Sequence, residues 1–227
     1  MKHIQKNITP EARQALATFI RKENKKAHYD NFKQSDGKNA VQESLLREQG
    51  FLCAYCMRRI QMSPKIEHWV TREQSNVEKK PHQTLNYNNL LAVCIGTTLQ
   101  NEVKYEHCDQ SRSKSNRELT INPTDERVIQ KVKFLKNGKI ECDDAAIFDD
   151  LNEENALNLN VLFLQDARKR VYESVKTLID LKCRNKNSTQ AQKIISDIID
   201  NWTAKNAKGE YKEYCAVVPY FFKKYLV

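Results

Sequence analysis

The chain has 227 residues, 40% hydrophobic and 30% charged, which excludes a disordered polymer and allows one or two compact domains. Lys and Arg outnumber Asp and Glu by 38 to 29, and the net charge of +9 suits a nucleic-acid partner as well as plain solubility. The longest apolar runs, such as Leu90-Leu91-Ala92-Val93-Cys94-Ile95, fall far short of the roughly 20 residues of a membrane span, so no membrane partner is expected.

Met1-Lys2-His3-Ile4-Gln5 has no apolar stretch behind it, so no secretory signal is expected and the expected location is cytoplasmic. In chain order, Thr9 as cap, Pro10 at the first position and Leu16, Phe19 and Ile20 at helical spacing predict a first helix. The polar stretch Asn31 to Gly37 breaks the chain. Asn39 to Gln49, with Val41, Leu45 and Leu46 on one face and Gly50 at its end, predicts a second helix. A short strand, a Cys53-Ala54-Tyr55-Cys56 knuckle and a strand around Lys65 to Trp69 are expected next, then a polar loop over 71–86. Asn88 to Val93 is open between strand and turn-plus-strand. Lys136-Asn137-Gly138-Lys139 predicts a hairpin between Val132-Lys133-Phe134 and Lys139-Ile140. Apolar stripes predict helices over Asn160 to Leu181, Thr189 to Trp202 and Tyr211 to Tyr225, the last interrupted by Pro219, and these read as scaffold.

Seven unevenly spaced cysteines in a cytosolic chain read as metal ligands plus core thiols, not as a disulfide framework. Cys142, Cys183 and Cys215 read as buried or semi-buried small apolar residues. The turn in Cys53-x-x-Cys56 points both sulfurs inward, and a tetrahedral zinc needs two more ligands. Cys94 and Cys108 are the candidates, with His107 an alternative to Cys108. Glu67-His68 pairs a carboxylate, suited to Mg²⁺, with an imidazole able to take a proton from water near neutral pH. Phosphodiester hydrolysis needs both a base and a hard cation. Taken alone, the dipeptide reads better as a surface ion pair or a hydrogen-bonded histidine.

The order Cys-x-x-Cys, Glu67-His68, Asn89-Leu90-Leu91, Cys94, Cys108-Asp109 resembles the HNH endonuclease motif. Cys53-Ala54-Tyr55-Cys56, Ile66-Glu67-His68-Trp69, Tyr87-x-Asn89-Leu90-Leu91 and His107-Cys108-Asp109-x-x-Arg112 resemble, more narrowly, the PtuB-type nucleases of Septu-type antiphage systems. Leu157-Asn158-Leu159-Asn160 and Arg168 are similar to that group too. The motif match covers roughly residues 51–112 and the looser similarity extends to about residue 180.

The resemblance implies a predominantly helical α+β chain: an N-terminal helical segment (1–50), a ββα-metal core with a zinc knuckle (51–122), and a hairpin with C-terminal helices (123–227). It implies that Glu67 and Asp109 hold a catalytic Mg²⁺ or Mn²⁺, that His68 is the general base and that Asn89 braces the loop and the histidine. Arg112, at a position where relatives have Lys, would grip a phosphate. Cys53, Cys56, Cys94 and Cys108 would hold a structural zinc. Asp109 replaces the family's His or Asn, which keeps an oxygen ligand. The implied activity is endonuclease cleavage, of DNA by default, in antiphage defence beside an SMC/ABC-like ATPase of PtuA type. In retron-attached systems the implied partners extend to a reverse transcriptase with its RNA–DNA product, and the implied substrate to host tRNA. A non-catalytic zinc-knuckle nucleic-acid-binding module, or an adaptor docking on the ATPase, are the competing readings.

Overall fold

Thr9 is extended, its hydroxyl accepts the Ala12 N–H at 3.3 Å, and Pro10 opens helix α1 (Pro10–Glu23), as expected. The computed structural model describes residues 1–61, 63–77, 81–100, 103–115 and 117–226. A short helix α2 (Tyr29–Phe32) follows, then α3 (Gly37–Gln49), which Gly50 ends in the left-handed conformation. The expected break at Asn31–Gly37 thus begins inside α2, because Phe32 is wholly buried, edge-on to Phe19 at 5.1 Å. α1 packs on α3, burying Leu16, Val41, Leu45 and Leu46.

The strand expected before the knuckle reduces to one antiparallel bridge between Leu52 and Arg59. Beyond it β1 (Lys65–His68) pairs antiparallel with β2 (Leu90–Val93), setting Glu67 opposite Leu91 and His68 opposite Leu90. The buried Gln49 side chain joins β2 to α3, because its Oε1 accepts Ala92 N and its Nε2 donates to Ala92 O, both at 2.8 Å.

The loop expected over 71–86 is largely helical: α4 (Arg72–Val77), then a 3₁₀ turn over Pro81–Leu85, with 78–80 outside the described residues. Thr71 starts α4, its hydroxyl accepting Gln74 N at 3.1 Å. Asn88–Val93 resolves into a 3₁₀ turn, Tyr87–Asn89, followed by β2.

A second hairpin, β3 (Thr97–Gln100) with β4 (Val103–Glu106), was not expected from the sequence, nor was the short helix α5 (Cys108–Arg112). Leu99 is 72% exposed, so this hairpin lacks the apolar alternation that marks a half-buried strand. After α6 (Glu126–Ile129) the expected hairpin forms from β5 (Lys133–Phe134) and β6 (Ile140–Glu141). Asp144 caps α7 (Ala145–Asn152). α8 (Leu162–Cys183) and α9 (Ser188–Thr203) match the apolar stripes, and α9 carries an Asn187/Gln190 capping box. The last expected helix is shorter, α10 (Val217–Phe222), with Pro219 in its first turn where a missing N–H breaks no helical bond.

About half the chain is helical and its sheets are two-stranded pairs. One apolar core spans the N-terminal helices, the knuckle, β2 and α7, and a second lies between α8, α9 and α10. Among the described residues no helix is long and apolar enough to cross a membrane.

Candidate functional site

The turn from Cys53 to Cys56 closes through Met57 N to Cys53 O (3.1 Å) and Cys53 N to Arg58 O (2.8 Å). It docks on β2 through Ala54 N to Ala92 O (3.1 Å), which brings its sulfurs to Cys94, one residue past β2. Cys108 reaches them from the start of α5, its N–H bonded to Leu157 O at 2.8 Å. The Leu157–Asn160 segment thus has a structural task, which Asn158 Nδ2 to Glu106 O (2.9 Å) reinforces.

The ligand atoms of Cys53, Cys56, Cys94 and Cys108 all lie within 4.8 Å of one another. Cys53 Sγ is 3.9 Å from Cys108 Sγ, and Cys56 Sγ is 3.8 Å from Cys94 Sγ. A disulfide holds its sulfurs at about 2.05 Å, whereas ligands at about 2.3 Å from a tetrahedral zinc stand about 3.8 Å apart. The four cysteines could therefore hold a metal ion such as zinc, and an all-sulfur set suits a soft ion over Mg²⁺. His107 stands behind this set. Its Nδ1 lies 3.1 Å from Cys108 Sγ and 4.0 Å from Cys94 Sγ, while its Nε2 faces Thr98 Oγ1 at 3.4 Å. That is the place of an outer N–H supporting thiolates, so Cys108 takes the fourth position that the sequence leaves open between the two.

Burial pushes the Cys56 and Cys108 thiols well up, while hydrogen bonds from Cys108, Cys53 and Cys56 draw Cys94 down. A bound cation would let the others ionise.

The second cluster is built on the end of β1 and on α5. Glu67, His68, Asp109 and Arg112 line one cavity of about 380 Å³ with Asp30, Thr71, Arg72, Glu73 and Ser113. His68 is 5% exposed, and its Nε2 lies 3.0 Å from Thr84 O. A carbonyl only accepts, so Nε2 carries the hydrogen and Nδ1 keeps its lone pair. Burial lowers the imidazole to about 4, which leaves it neutral at physiological pH. The Tyr29 ring packs edge-on against it at 4.5 Å.

Burial raises the Glu67 carboxyl to about 7; the Arg112 charge opposes this and the neighbouring Asp109 adds to it. Asp109 also pairs with Lys65 Nζ at 2.6 Å. Two adjoining carboxylates, one of them raised toward neutrality, are oxygen donors of the type that hard cations take.

Asn89 braces the loop after β1: its Oδ1 accepts Val70 N (2.7 Å) and its Nδ2 donates to Val70 O (3.0 Å). A longer bond from Nδ2 to Gln83 O (3.4 Å) ties in the turn that offers Thr84 O to His68. Arg112 is 2% exposed and already engaged. Its Nη1 donates to Glu67 Oε1 (2.5 Å) and His68 O (3.0 Å), its Nη2 to Trp69 O (2.7 Å) and its Nε to Arg117 O (2.9 Å). The fork that the resemblance assigns to a phosphate grips Glu67 and the end of β1 instead.

Tyr55, Lys65 and Thr84 join the site without having been legible in the sequence. Tyr55 is 1% exposed and its hydroxyl donates to Glu67 Oε1 at 3.4 Å. Its place between two clustered cysteines was the available signal. The Thr84 carbonyl that meets His68 belongs to the backbone and leaves no trace in residue type, although the Thr84 hydroxyl accepts Tyr29 N at 3.2 Å. Cys142 and Cys215 are buried away from the tetrad, as expected of core thiols. A scan against protein-family models finds no match to this chain, and no curated protein matches it either.

Proposed function

We propose that this chain is a metal-dependent endonuclease of the HNH kind, hydrolysing phosphodiester bonds with His68 as general base. The observation that carries the reading is the meeting, in one cavity, of a buried neutral imidazole and two adjoining carboxylates. The β1–β2 pair followed, after β3 and β4, by α5, with Glu67 and His68 ending the first strand and Asp109 in the first turn of the helix, supports a ββα-metal core.

His68 Nδ1 takes a proton from the attacking water, and Nε2, held on Thr84 O, fixes the ring and its tautomer. Glu67 and Asp109 would hold Mg²⁺ or Mn²⁺, and the bound ion would supply positive charge facing the phosphate and leaving-group oxygens. Arg112 and Tyr55 orient Glu67, and Asn89 holds the loop beneath His68. A zinc ion on Cys53, Cys56, Cys94 and Cys108 would be structural, since no open position is left for substrate.

DNA is the proposed substrate class, and the net charge of +9 favours a polyanion. The resemblance to PtuB-type nucleases supports a role in bacterial antiphage defence with a PtuA-like ATPase. In a retron-attached system the complex would include a reverse transcriptase and its RNA–DNA product, and the target would be tRNA. Incubating zinc-loaded protein with plasmid and with tRNA, each with Mn²⁺, with Mg²⁺ or with no added cation, tests the reading. Cation-dependent cleavage of either supports it. Binding without cleavage under every condition would favour the non-catalytic zinc-knuckle module.

A further inference from the structure

A second cavity, of about 510 Å³, shares none of its lining residues with the Glu67 cavity. It lies where the segment from Lys2 to Asn7, the end of α3 and the knuckle meet Lys205 and Tyr211. Its charge is unbalanced. The one carboxylate among its lining residues, Glu48, is occupied, accepting Lys6 Nζ at 2.6 Å on Oε1 and Asn7 N at 2.8 Å on Oε2.

Lys2 and Lys205 have no such partner. Among the described residues neither forms an ion pair, and both ammonium groups sit over the Tyr211 ring, at 4.5 and 5.2 Å from its centroid. Lys205 donates one N–H to Arg47 O at 2.6 Å and Lys2 reaches only His3 O, at 3.5 Å, so several N–H donors remain available. Burial, then the charge of Lys2, draws Lys205 down.

The platform is fixed in place. Tyr211 N donates to Gly50 O at 3.0 Å, and the ring lies so close to Gly50 that a side chain there would collide with it. Gly50 is also in the left-handed conformation, which suits it to end α3 and to admit the ring.

We propose that this cavity is a phosphate-binding site, in which Lys2 and Lys205 hold the phosphate group of a nucleotide or of a nucleic-acid chain. Two ammonium groups that share one ring and form no ion pair among the described residues are matched by one tetrahedral phosphate. The cavity is large enough for the sugar that such a phosphate carries. The proposal stands apart from the reading of Glu67 and His68, because no residue is common to the two sites.

The test is calorimetric titration of zinc-loaded full chain, with no residues added before Met1, against inorganic phosphate, AMP and a short single-stranded oligodeoxynucleotide. The double variant Lys2→Ala/Lys205→Ala is expected to bind AMP about tenfold more weakly or worse. Lys2→Arg/Lys205→Arg is expected to restore binding, and His68→Ala to bind AMP as the parent does. If the source is a nucleic-acid chain, the oligonucleotide binds more tightly than AMP and its logarithmic salt slope falls by about 0.7 in the double variant, the share of one phosphate. If the source is a free nucleotide, AMP binds at least as tightly and that slope does not change. Should the double variant fail to fold, the exposed Lys205→Gln variant alone is expected to weaken AMP binding. Absence of binding by all three probes, or unchanged AMP affinity in a folded lysine variant, would overturn the proposal.

Discussion

Tyr55 links the cysteine knuckle to the carboxylate cavity: its hydroxyl donates to Glu67 Oε1 at 3.4 Å, the same oxygen that receives Arg112 Nη1 at 2.5 Å. One carboxylate oxygen is thus fixed from two sides. The knuckle acts beyond its own sulfurs, because any tilt of the Cys53–Cys56 turn moves the Tyr55 hydroxyl with it.

Tyr55→Phe therefore keeps the ring and its packing but loosens Glu67. Cleavage is expected to fall about tenfold, chiefly through weaker affinity for the catalytic cation, with zinc content unchanged. Cleavage rates across a Mn²⁺ titration, beside zinc analysis of the same samples, check this; an unaltered Mn²⁺ dependence would remove Tyr55 from the site.

The pair of Arg112 and Glu67 is buried, with side chains 3% and 11% exposed. Removing one partner strands the other, so Arg112→Ala is expected to cost about 3–5 kcal/mol of stability by denaturant unfolding. Arg112→Lys keeps the charge but loses contacts to His68 O, Trp69 O or Arg117 O, and is expected to fall between the parent and Arg112→Ala.

The two perturbed groups act oppositely on stability in the absence of catalytic cation. Glu67 is raised from 4.5 to about 7, so its contribution is complete below 4.5 and is lost as pH rises through about 7. His68 is lowered from 6.5 to about 4, so its contribution is complete above 6.5 and is lost as pH falls through about 4. Between pH 4.5 and 6.5 the effects offset each other. His68→Ala is expected to expose a fall in stability from about pH 4.5 to 7, and Glu67→Gln a rise from about pH 4 to 6.5. Parallel pH profiles for parent and both variants would contradict the assignment.

A cation at Glu67 competes with the proton that burial favours. At limiting Mn²⁺, cleavage is expected to increase with pH through about 7, and raising Mn²⁺ is expected to move that limb to lower pH. A limb fixed at all Mn²⁺ concentrations would point to a group outside the metal site.

Cys53→Ser and Cys94→Ser are expected to lower zinc content and thermal stability together, since the tetrad draws β2, α5 and the knuckle to one point. Cys183→Ser, outside the tetrad and half-exposed, is expected to leave zinc content unchanged.

The helices were legible wherever one face is buried. Val41, Leu45 and Leu46 in α3, and Ile195, Ile198 and Ile199 in α9, repeat at helical spacing because they face a core. Helix α4 and the β3–β4 hairpin left no such stripe, since short polar elements are set by turn chemistry and tertiary contact. The four cysteines were legible from type and order, whereas the choice between His107 and Cys108 needed the 3.1 Å contact that places the imidazole behind the sulfur. Arg112 was legible as a site residue but not in its role, because nothing in residue type says whether a guanidinium faces solvent or carbonyl groups.

The most direct measurement is plasmid and tRNA cleavage by zinc-loaded His68→Ala beside the parent, in saturating Mn²⁺, with zinc content and unfolding temperature recorded for both. A folded, zinc-replete variant is expected, with cleavage reduced by at least about a hundredfold. Cleavage at the parental rate by that folded variant would contradict the assignment of His68 as the base.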